Sequence, residues 1–441
     1  MIVTFKNTGI IEEADICFDG LTVIAGENDT GKSTIGKLMF SIIKSFRKDR
    51  KYDEPDMRKQ LKHLVDSYYS TFKKKVKKES PIAVMVKKSF KDIKNDAISL
   101  IDAVGGTKEK KEKIKSNILE KVSDFMKAIK QVSDFDMDIE KLPVQIFEII
   151  ESKREKEDIL KSNFRSFVAS VFGKELINKY ALNQEYFISG KEGKDIIFEI
   201  SGTDDSMKLR LNNKFYFEDV TFIASPVLFE LKDMILASKT LVDVESDHLK
   251  QVDYLAKKYI PEYIRDFMLK VTDVKMRRVN SEIVDDIQQI IGGNFYYDNI
   301  EENFLFEKDN KIFKGLQVAL GVEPLGAISI LYQGGFLDEK SLLIIDEPES
   351  HIHPKWQIKF AEVLVKLVKE DKHILLTSHS PYLIEALKLY SDQLLEESKV
   401  NFYLSERIEK KSITQIYDVT HDISPIFDTL AEPLDKLESL Q

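Results

Sequence analysis

Near the start of the chain, Gly26-Glu27-Asn28-Asp29-Thr30-Gly31-Lys32-Ser33 follows the apolar run LTVIA and leads straight into TIGKLMFSIIKSF. Glycines let a backbone curl until several N–H groups point at one anion, beside the positive end of a helix dipole. In this pattern the lysine, Lys32, reaches the β- and γ-phosphates of a nucleotide. The Ser33 hydroxyl takes one position on Mg²⁺. The strand before the loop and the helix after it are the context such a phosphate-binding loop requires.

A second set of residues completes the chemistry. SLLIID is a buried strand whose last residue, Asp346, emerges at the carboxyl end, where it can hold Mg²⁺ through water. Glu347 follows and can polarise an attacking water. Many buried strands end in acids, so this string gains weight only from the phosphate loop in the same chain. A further strand, HILLTS, ends at His379, from which an imidazole can contact a γ-phosphate oxygen. Two rival readings fail. His351 and His353 flank Ile352, but their place just after the acidic pair favours a turn beside the nucleotide over zinc. Ser378-His379 invites a hydrolase triad, yet no G-x-S-x-G elbow is present.

The elements that must position these groups follow from periodicity. VTF, ADICF and LTVIA read as three strands in residues 1–25. Helical stripes follow at Leu61, Leu64, Val65, Tyr68, Tyr69, Phe72 and Val76, and at Ile114, Ile118, Leu119, Val122, Phe125, Met126 and Ile129. Pro81 and Gly105-Gly106 punctuate them. EYFIS, DIIFEIS, MKLRL and KFYFEDVTFIAS return the pattern to β. A second helical stretch, which includes YLAKKYIPEYIRDFMLKV, precedes a small hairpin set of NFYYD, NFLFE and KIFKG. In the last third, buried strands alternate with the amphipathic helices PKWQIKFAEVLVKLVKE and PYLIEALKLY. NFYLSE and SITQIYD are expected as edge strands.

The expected fold is α/β: a mainly parallel sheet covered on both faces, an N-terminal antiparallel β subdomain and a long helical insertion. The expected division is 1–43 (first lobe with the loop), 44–184 (helical insertion), 185–226 (strands rejoining the lobe), 227–291 (second helical segment) and 292–441 (second lobe).

Composition narrows the class. The 441 residues are 43% hydrophobic and 32% charged, with one cysteine, Cys17. No apolar run approaches the ~20 residues that span a bilayer. Acids also interrupt the N-terminal stretch where an export signal would be apolar, so the expected location is cytoplasmic. The net charge of −9 hides a split. Lys44–Lys130 holds 25 Lys/Arg against 13 Asp/Glu, and the remainder is acidic. Such a basic segment suits either a solvated helical face or a nucleic-acid surface.

Together, GENDTGKST, LLIIDEPESHIHPKWQ and LLTSHSPYLIEAL resemble the ABC-type ATPase heads of the SMC, RecF and OLD group, and most of all the stand-alone ATPases of anti-phage systems such as Septu and PARIS. The resemblance covers about 1–40 and 315–390. It implies that Gly26, Asn28, Gly31, Lys32, Ser33 and Thr34 bind ATP and Mg²⁺, with Asp346 on the metal. It further implies Glu347 as catalytic base, Ser350 and His351 in the turn that follows, and His379 as the switch histidine. Such heads associate with themselves, so a homo-oligomer and a separate effector such as a nuclease are the implied partners, with DNA as a further one. No acidic cluster after His379 would complete a nuclease in this chain. One departure concerns the signature turn, here Val318–Pro324. Gly321 survives and would bind nucleotide across a dimer, but Leu320 stands where Ser or Thr is usual. Glu323-Pro324 then sets an acid where it would repel a γ-phosphate. Against ATP hydrolysis with control of an effector stand two alternatives: a DNA-maintenance ATPase, and a scaffold that binds ATP without hydrolysing it.

Overall fold

Alternating half-burial marks β1 (Ile2–Thr8) and β2 (Ile11–Cys17), which pair antiparallel, whereas β3 (Leu21–Ala25) is buried along its whole length. Four strands follow: β4 (Tyr186–Glu192), β5 (Asp195–Gly202), β6 (Met207–Leu211) and β7 (Asp219–Ile223). β8 (Asn294–Asp298), β9 (Asn303–Lys308) and β10 (Lys311–Lys314) form a small antiparallel sheet of their own. The last are β11 (Ser341–Asp346), β12 (His373–Ser378), β13 (Val400–Arg407) and β14 (Thr414–Asp418).

This computed structural model describes residues 1–46, 54–73, 81–102, 108–130, 139–151, 156–173, 175–180, 184–212, 214–224, 228–235, 260–273, 281–408 and 413–438. The chain divides into two units, one of Met1–Arg47 with Leu160–Gln441, the other of Lys48–Ile159.

In the first unit, eleven strands form one sheet in the order β6-β5-β4-β1-β2-β14-β13-β3-β12-β11-β7. The stretch β13-β3-β12-β11-β7 is wholly parallel. Its strands are the continuous apolar runs, because helices cover both of their faces. The antiparallel N-terminal strands extend this same sheet, joined through the parallel pair β14 and β2. NFYLSE and SITQIYD therefore lie within the sheet, contrary to the edge positions expected for them. Phe402, Tyr403 and Leu404 are buried, and β13 pairs with β3 on one side and β14 on the other. Among the described residues, the sheet's edges are β6 and β7.

The helix Lys32–Phe46 buries Ile35, Leu38, Met39, Ile42 and Ile43 against the sheet. Gly36 permits its close approach, since a Cβ there would lie 2.9 Å from Ile344 Cγ2 and 3.1 Å from Phe222 Cε2. Near the end of this helix, Lys44 is fully buried and pairs with Asp219 (2.7 Å) and Asp266 (2.6 Å). Lys270 meets the same two carboxylates at 2.7 and 3.3 Å. Lys44, counted in the basic segment by sequence, is thus an interior ion-pair partner and not part of a charged outer face. Two further helices, Pro354–Lys369 and Pro381–Leu394, start at prolines, which suit a first turn whose N–H groups lack partners. Their caps are His353, whose Nδ1 accepts from Lys355 N–H, and Ser380, whose hydroxyl accepts from Leu383 N–H.

The second unit contains the helices Glu54–Lys73, Pro81–Asp102, Lys108–Lys130 and Lys141–Glu151. Leu61, Val65, Phe90, Ile93, Ile118, Val122, Phe125, Leu142 and Ile146 make its core. The stripe read from sequence supplies many of these residues, but Leu119 is half exposed, one position off the buried face. Val76, Gly105-Gly106, Ser225-Pro226 and the start of YLAKKYI lie outside the described residues. Among the described residues, no helix is long and apolar enough to cross a membrane.

Candidate functional site

β3 ends at Ala25, and the chain then turns through Gly26, whose φ is 149°. A side chain there would collide with the Ser405 carbonyl, so only glycine lets the loop pass under β13. Asp29 adopts a left-handed φ of 61° and Gly31 one of 85°. Internal hydrogen bonds hold this curl: Thr30 Oγ1 donates to the Glu27 carbonyl at 2.8 Å, and Ser405 Oγ donates to the Thr30 carbonyl at 2.7 Å. Arg407 Nη2 pairs with Asp29 Oδ2 at 2.8 Å from the end of β13. Lys32, 3% exposed, donates from Nζ to the Glu27 carbonyl at 2.6 Å, inside the curl that its ammonium would share with a phosphate. Asn28 is exposed on the crest, and Thr34 packs beside Gly9.

The sheet brings the acidic pair to this loop. Because β11 and β3 both flank β12 in parallel register, their carboxyl ends open on the same rim. Ser33 Oγ donates to Asp346 Oδ1 at 2.8 Å across 313 residues of sequence. Lys32 Nζ lies 3.4 Å from Glu347 Oε1. Thr377, at the end of β12, donates to the same Asp346 oxygen at 2.6 Å. Glu347 itself has φ 47° and ψ 55°, a left-handed conformation that is rare outside glycine and asparagine. Its N–H donates to the Thr377 carbonyl (3.1 Å) and hydroxyl (3.2 Å), which hold the backbone in that state. Outliers of this kind concentrate at active sites.

His379 brings its Nδ1 to 3.8 Å from Glu347 Oε1 and 3.2 Å from Glu349 Oε1. Glu349 and Thr377 were missed by the sequence reading. Thr377 is one residue of an apolar strand, and Glu349 looks like any loop acid until the fold buries it. Ser350 donates from Oγ to the Glu347 carbonyl at 3.0 Å and so closes the turn after the strand.

One hydroxyl and one carboxylate oxygen, Ser33 Oγ and Asp346 Oδ1, share a single point beside the loop. That donor set fits Mg²⁺, which keeps several waters and is held through one or two protein groups plus the substrate's phosphates. Among the described residues, no group of three or more His, Cys, Asp or Glu side chains could hold a metal by itself.

Gly321 is not part of this cluster. It sits in the short turn Leu320–Val322 ahead of the helix Glu323–Gln333, and a Cβ on it would lie 2.9 Å from the His351 carbonyl. The Glu323 side chain faces inward at 1% exposure. Burial pushes its carboxyl up to about 8, with Glu230 adding to the effect. The acid expected near a γ-phosphate is thus enclosed within its own chain, its side chain turned inward.

Residues 247–385 match the family model described as AAA domain, putative AbiEii toxin, Type IV TA system, a span that includes Asp346, Glu347 and His379 but not the glycine-rich loop. An uncharacterized protein of Methanocaldococcus jannaschii is 25% identical over 359 residues, covering 68% of this chain and 43% of the relative. The Septu protein PtuA of Bacillus thuringiensis is 27% identical over 115 residues, 26% of this chain and 27% of PtuA. The chain thus spans less than half the length of either relative. Among solved structures, the SMC head domain from Thermotoga maritima aligns with a TM-score of 0.38 at 10% identity, covering 95% of this chain and 98% of that one. The Smc head domain of Pyrococcus furiosus bound to the C-terminal domain of ScpA gives 0.41 at 10% identity, with 98% of each chain covered. In its motifs and its family match, the chain resembles an ABC-type ATPase head and the AAA proteins of anti-phage systems.

Proposed function

We propose that this chain binds ATP with Mg²⁺ between the 26–34 loop and the end of β11, and hydrolyses it. The observation that carries the reading is the 2.8 Å contact of Ser33 Oγ with Asp346 Oδ1, which joins two distant segments at one metal-sized point. When bound, Mg²⁺ would neutralise phosphate charge. Ser33 and Asp346 would hold it, with Thr377 orienting the Asp346 carboxylate. Lys32, buried at the floor of the loop, would exchange the Glu27 carbonyl for phosphate oxygens. Glu347, 3.4 Å from Lys32 Nζ, would take a proton from the attacking water. His379 would complete the wall opposite the loop.

The experiment is phosphate release measured beside nucleotide binding. Lys32→Ala is expected to lose both, and Glu347→Gln to keep binding while turnover falls by roughly 10²–10⁴-fold, the usual worth of a general base. Unchanged turnover in both variants would remove the assignment.

The biological role we infer is control of a separate effector, such as a nuclease, through ATP-dependent association of heads, in defence against phage. The likeness to PtuA and to the AAA model supports it. Phage plating on cells carrying the chain with its neighbouring gene, against the Lys32→Ala form, tests it; equal plating with both forms refutes it. A DNA-binding role has one observation in its favour: Lys62, Lys87, Lys88, Lys110 and Lys113 are exposed on the helices of the second unit. Such binding should weaken steeply with salt as counterions are released. The scaffold reading rests on the altered turn at Leu320, with Glu323 buried in its own chain; unhydrolysed ATP after a single-turnover incubation would favour it.

A further inference from the structure

Glu349 has no role in the scheme above, yet its side chain is only 3% exposed. Its Oε1 accepts two hydrogen bonds from the end of β12, from Ser378 Oγ and from His379 N–H, both at 2.7 Å. The same oxygen lies 3.2 Å from His379 Nδ1, closer than the 3.8 Å to Glu347. Glu349 Oε2 and His379 Nδ1 are both buried, and neither makes a well-aligned hydrogen bond among the described residues. Leaving a buried donor and a buried acceptor unpaired is costly, and catalytic hydrogen bonds often align only when substrate is present.

We propose that Glu349 is the positioning residue of His379: it receives a hydrogen bond from Nδ1–H and so presents Nε2 to the nucleotide. An ionised carboxylate can only accept, so a ring nitrogen facing it must carry the hydrogen. Which nitrogen carries it is set by the partner of the other, and that choice decides what the free nitrogen can do. Glu347 is the poorer partner on two grounds, its greater distance and its contact with Lys32. The division of labour follows: Glu349 fixes the ring, and Glu347 stays free for water. The functional consequence rests on the ATPase reading; the tautomer does not.

The test uses full-length protein with ¹⁵N-labelled histidine, the His379 signals being those lost in His379→Asn. In the wild-type chain they should show Nδ1 bearing hydrogen. Glu349→Leu keeps much of the bulk and removes the carboxylate oxygen that Ser378, His379 N–H and the ring all face. It should switch His379 to the Nε2–H form and lower kcat for ATP by roughly 10–100-fold, the scale of lost orienting partners, with KM little changed. Glu349→Asp should recover part of kcat. A wild-type ring with Nδ1 bare, or an unaltered tautomer in Glu349→Leu, overturns the proposal even if the protein hydrolyses nothing. An absence of turnover in the wild-type chain with Nδ1–H observed would count against the ATPase reading alone.

Discussion

Ser33 Oγ and Asp346 Oδ1 lie 2.8 Å apart, so the first helix and the eleventh strand meet at a hydroxyl and a carboxylate. If Mg²⁺ is held there, Asp346→Asn and Ser33→Ala should each weaken nucleotide affinity by roughly 10–100-fold when Mg²⁺ is present. Without Mg²⁺ the variants and the wild type should bind alike. Titration with a fluorescent ATP analogue, with and without EDTA, decides the matter; an equal loss in both conditions would argue for a packing defect.

Gly36 is the point where the helix after the phosphate loop rests on β11 and β7. Gly36→Val would force side-chain atoms into Ile344 and Phe222. Overpacking of this kind costs typically 1–3 kcal/mol. Denaturant melts should show that loss, and turnover should fall with it because the helix carries Ser33. Undiminished stability would mean that the helix can lift from the sheet.

Glu323 gives the stability a pH dependence of definite sign. Its folded value, about 8, stands above the ordinary 4.5 because burial disfavours the anion. Below about 4.5 both states are protonated and the group contributes nothing. Between the two values the unfolded chain ionises while the folded chain stays protonated, so stability falls as pH rises and the full loss is reached above 8. The loss is of the order of a few kcal/mol. Glu323→Gln should therefore raise Tm more at pH 9 than at pH 5, as read by calorimetry. The same gain at both values would contradict the inward placement.

Lys44, Asp219, Asp266 and Lys270 form a buried cluster in which each removal strands a charge. Burial alone would push the Asp219 carboxyl up, but Lys270 and Lys44 more than offset this and hold it below its usual range. That contribution is present above the ordinary pKa of an aspartate and is lost as pH falls below it. Asp266→Ala should destabilise by about 3–5 kcal/mol, the usual effect of breaking a buried pair. A loss under about 1 kcal/mol in urea unfolding would show that water reaches the cluster.

The legible parts of this chain were those with local grammar. Lys32, Ser33, Asp346 and Glu347 announce themselves because a curled anion loop and an acid after a buried strand need fixed residue types at fixed spacing. The continuous apolar runs of β3, β11 and β12 likewise reveal strands covered on both faces. What stayed hidden depends on partners far along the chain. Lys44 reads as the first residue of a basic run, and only its contacts with Asp219 and Asp266 make it interior. Glu349 is buried through hydrogen bonds from Ser378 and His379, about thirty positions away. β13 and β14 have ordinary half-polar sequences, and nothing local says that β3 and β2 will take them into the middle of the sheet.

That placement of β13 has a consequence for biosynthesis. The phosphate loop precedes β12 and β13 in the chain and is translated before them, but β3 is bracketed by those two strands, and the loop's crest is tied down by Ser405 and Arg407. A nascent polypeptide therefore displays GENDTGKST long before the ribosome has made the frame that shapes it. A prematurely terminated product ending before Val400 should be inert toward ATP despite its intact motif, and a measurable affinity in such a fragment would show the loop to be self-supporting.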